Sequence, residues 1–339
     1  MEQKGFFDED ERLRKLSELG DSLEKLNEHI EWEEFRGKLT KALKKEAQGP
    51  GGRPPYDYVM MLKILILQKV YNISDDAAEY QINDRLSFQR FIGIQLNDKV
   101  PDAKTIWHFK EELKEAQVLE KILDMFTEKL EKKGVVTYSG SIVDAAFVEV
   151  PRQRNSREEN KEIKEGKIPA KWQTKKNGHK LAQKDTDARW ATKNKQRHYG
   201  YKDHIKIDKK SKIITKYRVT DASIHDSQEL KNLIDGKKDK RLYGDSAYTG
   251  EEVQKCIPGK VKIRIHEKGY RNQPLTETQK RSNTAKSKIR ARVEHVFGAM
   301  RHFGGRAIRT IGIARAEIQI GLLNLAYNLT RYVYLEAKG

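Results

Sequence analysis

Over residues 7–47 apolar side chains return at helical spacing between charged positions, at Leu13, Leu16, Leu19, Leu23, Leu26 and Ile30. The pattern predicts an amphipathic helix or helix pair. The stretch GPGGRPPYD at 49–57 interrupts it, because glycine and proline at this density make a loop. Beyond the loop, DYVMMLKILILQKVY is almost continuously apolar and begins after Asp57, a residue suited to cap a helix. SDDAAEYQINDR begins in the same way at Ser74, LSFQRFIGI is short and apolar, and PDAKTIWHFKEEL opens on Pro101 and Asp102. Short helices with brief connections predict a compact helical domain. It is either of helix-turn-helix type or a scaffold that touches no base, and propensity does not separate the two.

The period changes near residue 134. GVVTYSGSIVDAAFVEV is β-branched and alternating, which predicts a strand of about ten residues. HIKIDKKSKIITKYRVT (204–220) predicts two strands around a lysine-rich turn. A helix at 226–235, a strand at 241–248, a helix in GEEVQKCI, a strand at 260–267 and two helices at 277–303 and 313–336 follow. With residues 151–200 set aside, the order is β-β-β-α-β-α-β-α. Three strands in hairpin order, then strands alternating with helices, predict a mixed sheet and match a ribonuclease-H-like core. The fold class expected is therefore α+β / α/β. An amphipathic helical segment spans 1–48, an all-helical domain 49–133, and a mixed-sheet domain 134–339 with a basic insertion at about 151–200. That insertion is polar and poor in β-branched residues, and is expected to be partly disordered until nucleic acid orders it. Its isolated aromatics, Trp172 and Trp190, either stack on DNA bases or cap a small satellite cluster.

Charge narrows the class of partner. The 339 residues carry a formal net charge of +18. Residues 1–49 are net −3, whereas 151–220 are net +14 and 259–310 net +11. Segregation of this kind suits a surface that binds phosphates by releasing their counterions, so nucleic acid ranks ahead of membrane. Cys256 is the single cysteine, which excludes disulfide frameworks and cysteine-based zinc sites. The acidic start has no signal-peptide pattern, and the most apolar run, 58–71, is too short for a bilayer and interrupted by Lys63. The expectation is a soluble cytoplasmic protein with no membrane partner.

Three carboxylates stand out against this basic background. Asp144 lies within the first strand among Ile142, Val143, Ala145 and Ala146, where a charge is costly unless paired or metal-bound. Asp245 ends the fourth strand in LYGDSAYTG, and strand ends of such sheets are where ligands bind. Glu294 is the only carboxylate between Glu277 and Glu317, on a helix where Arg290, Glu294 and Arg301 form one stripe beside Val293, Phe297 and Met300. Taken alone, Arg290 and Glu294 make an ordinary helix salt bridge. In a ribonuclease-H-like arrangement, however, the three carboxylates converge into a hard oxygen site for Mg²⁺. Two such ions activate a water or 3′-hydroxyl for in-line attack on phosphorus.

The blocks GRPPYDYVMMLKILILQKVYNISDDAAEYQINDRLSFQRFIGI, PDAKTIWHFKEEL, IVDAAFV, HYGYKDHIKID, VTDASIHDSQEL, YGDSAYTG and RVEHVFGAMR, in this order over residues 50–335, resemble the bacterial insertion-sequence transposases of the DDE class, specifically insertion-sequence family five. The resemblance implies that Asp144, Asp245 and Glu294 are the catalytic and metal-binding triad. Asp245 follows Asp144 by 101 positions and Glu294 follows Asp245 by 49, which leaves no room for a large insertion domain before the glutamate. Of the family signature around that glutamate, Arg290 and Glu294 are in place, while Ser287 stands for a tyrosine and Arg301 for a lysine.

The resemblance implies a DNA transposase that binds the terminal inverted repeats of its own element. It would cut and transfer strands with two Mg²⁺ ions (Mn²⁺ substituting), acting as a homodimer on donor and target duplex, at the nucleoid. Arg290, Arg301, His198, Lys202 and His204 are then candidate DNA-phosphate contacts, although strand packing explains the last three equally well. His225, in HDS, is a helix cap. No His-x-x-Arg box precedes Tyr332 and Tyr334, and no His-hydrophobic-His pair is present, against tyrosine recombinase and rolling-circle chemistry. Two alternatives stay open: a non-catalytic DNA-binding regulator derived from a transposase, and a structure-selective nuclease of the same fold.

Overall fold

The computed structural model describes residues 8–44, 54–250, 253, 255–269 and 274–338. Parts of the expected 49–57 loop and of the helix expected in GEEVQKCI lie outside the described residues. Two compact units result, one of Met1–Ile122 with Leu325–Gly339, the other of Leu123–Asn324.

In the first unit the helix pair expected over 7–47 is three helices: α1 (Asp8–Glu18), α2 (Ser22–His29) and α3 (Glu34–Leu43). Gly20, at φ +89°, ends the first helical run, and the Asp21 carboxylate starts the second by accepting from the Leu23 amide at 2.9 Å. The helices α4 (Tyr58–Tyr71), α5 (Asp75–Asp84), α6 (Leu86–Ile92) and α7 (Ala103–Ala116) follow. The caps read from sequence are made. Asp57 accepts from Met60, Ser74 from Ala77 and Asp102 from Thr105, at 2.8, 3.2 and 2.7 Å. Each is worth about 1 kcal/mol. Helix α4 is apolar on all sides because it is central. Met61, Leu62, Ile64, Leu65, Ile66 and Leu67 are all buried as it packs against α3, α5, α6 and α7.

Among the described residues of the second unit, six strands form a mixed sheet. They are β1 (Ser141–Glu149), β2 (Arg189–Lys193), β3 (Gln196–Asp208), β4 (Ile214–Asp221), β5 (Arg241–Gly244) and β6 (Lys262–Ile265). Strand β3 is antiparallel to β1, β2 and β4, while β5 runs parallel to both β1 and β6. With β2 set aside, the order β4-β3-β1-β5-β6 is the ribonuclease-H-like one that the sequence predicts. The long helix Glu277–His302 and the helix Ile313–Glu336 have nearly the predicted bounds. The expected 226–235 helix is a 3₁₀ turn, Asp226–Glu229, and a single helical turn, Leu230–Leu233.

The insertion is ordered, contrary to the expectation from its composition. Its helix Arg157–Lys164 starts on a capping box, in which Ser156 Oγ accepts from the Glu159 amide and Glu159 Oε2 from the Ser156 amide. Asp185 then ties the insertion to the sheet by accepting from the Tyr201 hydroxyl at 2.6 Å and the Ala188 amide at 3.0 Å. Where the insertion rejoins β1, Gly200 sits at φ +146°, and a Cβ there would lie 2.3 Å from the Val148 carbonyl oxygen. Only glycine allows the two strands to cross so closely.

Candidate active site

Strand β1 places Asp144 directly beside the buried Ile142 and Val143, and its own side chain is 11% exposed. Strand β5 pairs with β1 only through Ser141 and Ile142 and ends at Gly244. Asp245 leaves that strand end and caps the 3₁₀ turn Ser246–Tyr248, accepting from the Ala247 amide at 2.8 Å. A side chain on Gly244 would press on the Tyr248 ring, 3.0 Å from its Cβ position, so the small residue keeps this turn tight against the strand.

The third element is the long helix, which buries Val293, Val296 and Met300. Val296 takes the place that the sequence reading gave to Phe297. Arg290 on this helix reaches back to β1. One guanidinium nitrogen donates to Asp144 Oδ2 at 3.0 Å and the other to Glu294 Oε1 at 2.8 Å. Asp144 Oδ1 accepts from the Ala145 amide at 2.9 Å. Burial nevertheless raises the Asp144 carboxyl to about 6. The Ala145 amide and Arg290 oppose the rise, and the nearby charge of Asp245 adds to it.

Asp144, Arg290 and Glu294 are therefore joined by hydrogen bonds, and Asp245 lies within electrostatic reach of Asp144. Among the described residues no group of three or more histidine, cysteine, aspartate or glutamate side chains is gathered to hold a metal ion. A single arginine supplies the positive charge between two of the three carboxylates. The donor set still suits a divalent cation in kind: hard oxygens, one of them desolvated and raised by a second carboxylate, a repulsion that a cation relieves. Glu294, with its side chain 57% exposed, is the most accessible of the three.

The candidate phosphate contacts divide. Arg301 is exposed and lines a cavity of about 400 Å³ next to Asp144 along β1, which Ala145, Phe147 and Glu149 also line. His198 lines the same cavity, stacked on Phe147 with ring centroids 4.2 Å apart and its Nδ1 3.0 Å from Glu149 Oε1. Lys202 and His204 do not reach any surface. Lys202 donates to Asp226 and to the Ile224 carbonyl, both at 2.7 Å. His204 is fully buried beside Thr220, and burial lowers its imidazole to about 4, so it is neutral. The contacts of these two are those of strand packing. Arg290, too, is engaged by carboxylates.

The tryptophans divide in the same way. Trp172 is fully buried and donates to Glu159 at 2.6 Å, so it belongs to a satellite cluster and offers no face to a base. Trp190 is 45% exposed.

Three residues near the site were not read from the sequence. His266, just after β6, has its Nε2 3.0 Å from Ser287 Oγ on the long helix and feels the charges of Arg290 and Asp245. Tyr248 is buried, without a hydrogen-bond partner for its hydroxyl, in the field of Asp144, Asp226 and Asp245. Asp203 lines the cavity, accepts from Asn324 at 3.2 Å, and is raised by burial to about 7. The position of His266 at a strand end was a usable signal; nothing local marks the other two.

Residues 136–329 match the family described as "Transposase DDE domain". Residues 11–112 match one described as "Transposase domain (DUF772)", which reaches further towards the N-terminus than the motif blocks do. No solved structure matches the chain. Among the described residues no helix is long and apolar enough to cross a membrane.

Proposed function

The chain belongs to the DDE-domain transposases, and from that premise we propose that it cuts and joins DNA at the ends of its own insertion sequence. Its element would be of insertion-sequence family five, and its binding sites the terminal inverted repeats. Transposases of this kind generally depend on a divalent metal. The observation that carries the reading is the hydrogen-bonded set Asp144–Arg290–Glu294 with Asp245 within electrostatic reach. A carboxylate raised chiefly by burial, with a second carboxylate nearby and an arginine bridging it to a third, fits a site built to take up positive charge.

Asp144, Asp245 and Glu294 would hold the cations, and hard oxygen donors favour Mg²⁺, with Mn²⁺ able to substitute. When bound, such ions stabilise the attacking and leaving oxygens of an in-line displacement at phosphorus. The rest falls to the chain's own groups. The three carboxylates set where the nucleophilic oxygen sits, whether it belongs to water or to a 3′-hydroxyl. Arg290, freed from the carboxylates it now bridges, offers its planar fork to a phosphate, and Arg301 adds a second cation along the same helix. His198, on the cavity wall, is the remaining contact candidate.

Duplex DNA is thus the substrate, and two ends to be joined call for a homodimer on DNA, at the nucleoid of a bacterial cytoplasm. The test is cleavage of a duplex carrying one element end with Mg²⁺, using Asp144→Asn, Asp245→Asn and Glu294→Gln. Each should abolish cutting while DNA binding persists. A variant that still cuts at the wild-type rate removes its residue from the mechanism.

A further inference from the structure

The part of the insertion nearest the site is a hairpin. Strand β2 pairs with the start of β3 from Arg189 opposite Gly200 to Lys193 opposite Gln196. The two-residue turn between them, Asn194 and Lys195, is left-handed at both positions, with φ +51° and +64°. Such a turn follows the natural twist of the strands and makes a stiff ribbon. Residues 188–202 contain no carboxylate, and Thr192 through Arg197 are all exposed.

One face of the ribbon carries Trp190, Thr192, Arg197 and Tyr199, because Trp190 pairs with Tyr199 and Thr192 with Arg197. This face lines a cavity of about 640 Å³, with Lys164 and Asn160 from the helix Arg157–Lys164 also in its wall and no carboxylate in its lining. Arg152 lies over the Trp190 ring at 5.5 Å.

Across residues 151–200 there are 15 lysines and arginines against six acidic residues. Four of the six acidic groups are held by neighbouring donors: Glu159 and Asp185, both buried, by Trp172 and Tyr201, Asp187 by the Ile313 amide and Glu162 by the Ala170 amide. The positive excess of the insertion therefore dominates its surface.

The opposite face of the ribbon looks to the catalytic carboxylates. Lys193 lies 3.9 Å from Asp226 and contributes to the field at Asp144, while Gln196 and His198 line the cavity beside that residue. Strand β3 continues unbroken from the turn into the centre of the sheet.

We propose that the β2–β3 hairpin, with the groove beside Trp190, is a DNA-gripping surface that holds the phosphate backbone of the duplex next to the cut. It rests on the transposase reading above and gives that reading a contact surface. Lys195 and Arg197 meet phosphates, Lys164 lines the far wall, and Trp190 lies against the duplex in between. A two-stranded ribbon is also of a width that the major groove admits.

The test compares wild type with Lys195→Glu/Arg197→Glu and, separately, Trp190→Phe, on a duplex carrying one element end with its flank. Binding is read by fluorescence anisotropy over a range of salt, with thermal melting as the control for folding. The double variant should melt as wild type does and bind at least tenfold more weakly. Its slope of log affinity against log salt should be shallower by about two, one phosphate for each cation removed. Trp107 is also exposed, so the quench of tryptophan fluorescence by the duplex should be reduced, not abolished, in Trp190→Phe. A double variant with wild-type affinity and slope, or a quench undiminished in Trp190→Phe, overturns the proposal. Cleavage by the wild type is scored separately. If the hairpin variants weaken binding but the wild type never cuts, the surface stands and the reaction assigned above falls.

Discussion

Arg290 and Asp144, 146 positions apart in the chain, share a hydrogen bond of 3.0 Å, and through the same guanidinium Asp144 is joined to Glu294. An arginine in this place is a resident counter-ion. Arg290→Gln should therefore bind Mn²⁺ more tightly than wild type in calorimetry, because a competing positive charge is gone, yet cleave DNA at least tenfold more slowly. Arg290→Lys should recover only part of the rate, since an ammonium cannot span both carboxylates and then a phosphate. Equal Mn²⁺ affinity in wild type and Arg290→Gln would show that the arginine does not compete with the ion.

Asp203 gives stability a pH dependence of stated sign. Its carboxyl is raised by burial from the ordinary 3.8 to about 7, so the folded state holds a proton that the unfolded state has lost. The penalty is absent below the unfolded value, grows as pH rises from about 4 to about 7, and is complete above that. Three pH units correspond to about 4 kcal/mol at the top of the window. Asp203→Asn should thus raise the melting temperature at pH 8 and leave it nearly unchanged at pH 4. Equal shifts at both pH values would rule out the titration.

His204 should behave as a packing residue. His204→Ala removes one of the two partners of the Thr220 hydroxyl, which keeps its bond to the Asp221 carbonyl, and empties a buried site; it is expected to cost about 1–3 kcal/mol in denaturant unfolding. The salt slope of DNA binding should stay at the wild-type value. A slope reduced by one unit would restore it to the phosphate contacts.

Lys206 and Asp239 form a fully enclosed ion pair at 2.8 Å, with Ser141 also donating to the carboxylate. Lys206→Met strands a buried charge and should destabilise the second unit by about 3–5 kcal/mol. Lys206→Met/Asp239→Leu should recover much of that loss. A double variant no more stable than the single one would mean that packing, and not the charge, sets the cost.

What the sequence made legible was whatever depended on neighbours along the chain. Asp57, Ser74 and Asp102 could be read as caps because a cap needs only the next three residues. Arg290 and Glu294 could be paired because they are four apart on a helix. The contact of Arg290 with Asp144 joins the long helix to a strand and has no local signature, so the arginine reads as a phosphate ligand when it is also a carboxylate ligand. The insertion was misjudged for a different reason. Its composition is that of a disordered segment, but the Ser156–Glu159 capping box, the buried Trp172 and the Asp185–Tyr201 bond supply enough fixed contacts to fold it. Lys202 and His204 lie in a motif block whose positions serve packing, which a sequence pattern does not separate from contact with DNA.

Strand β3 runs without a break for 13 residues, from the hairpin turn to Asp208. Only its first three residues, Gln196 to His198, reach solvent, and every residue from Tyr199 to Asp208 is buried. The strand is thus one unbroken rod with an open tip and an anchored end, and at the anchored end Ile205 pairs with Asp144. Whatever displaces the tip is carried along the backbone to the neighbour of that carboxylate.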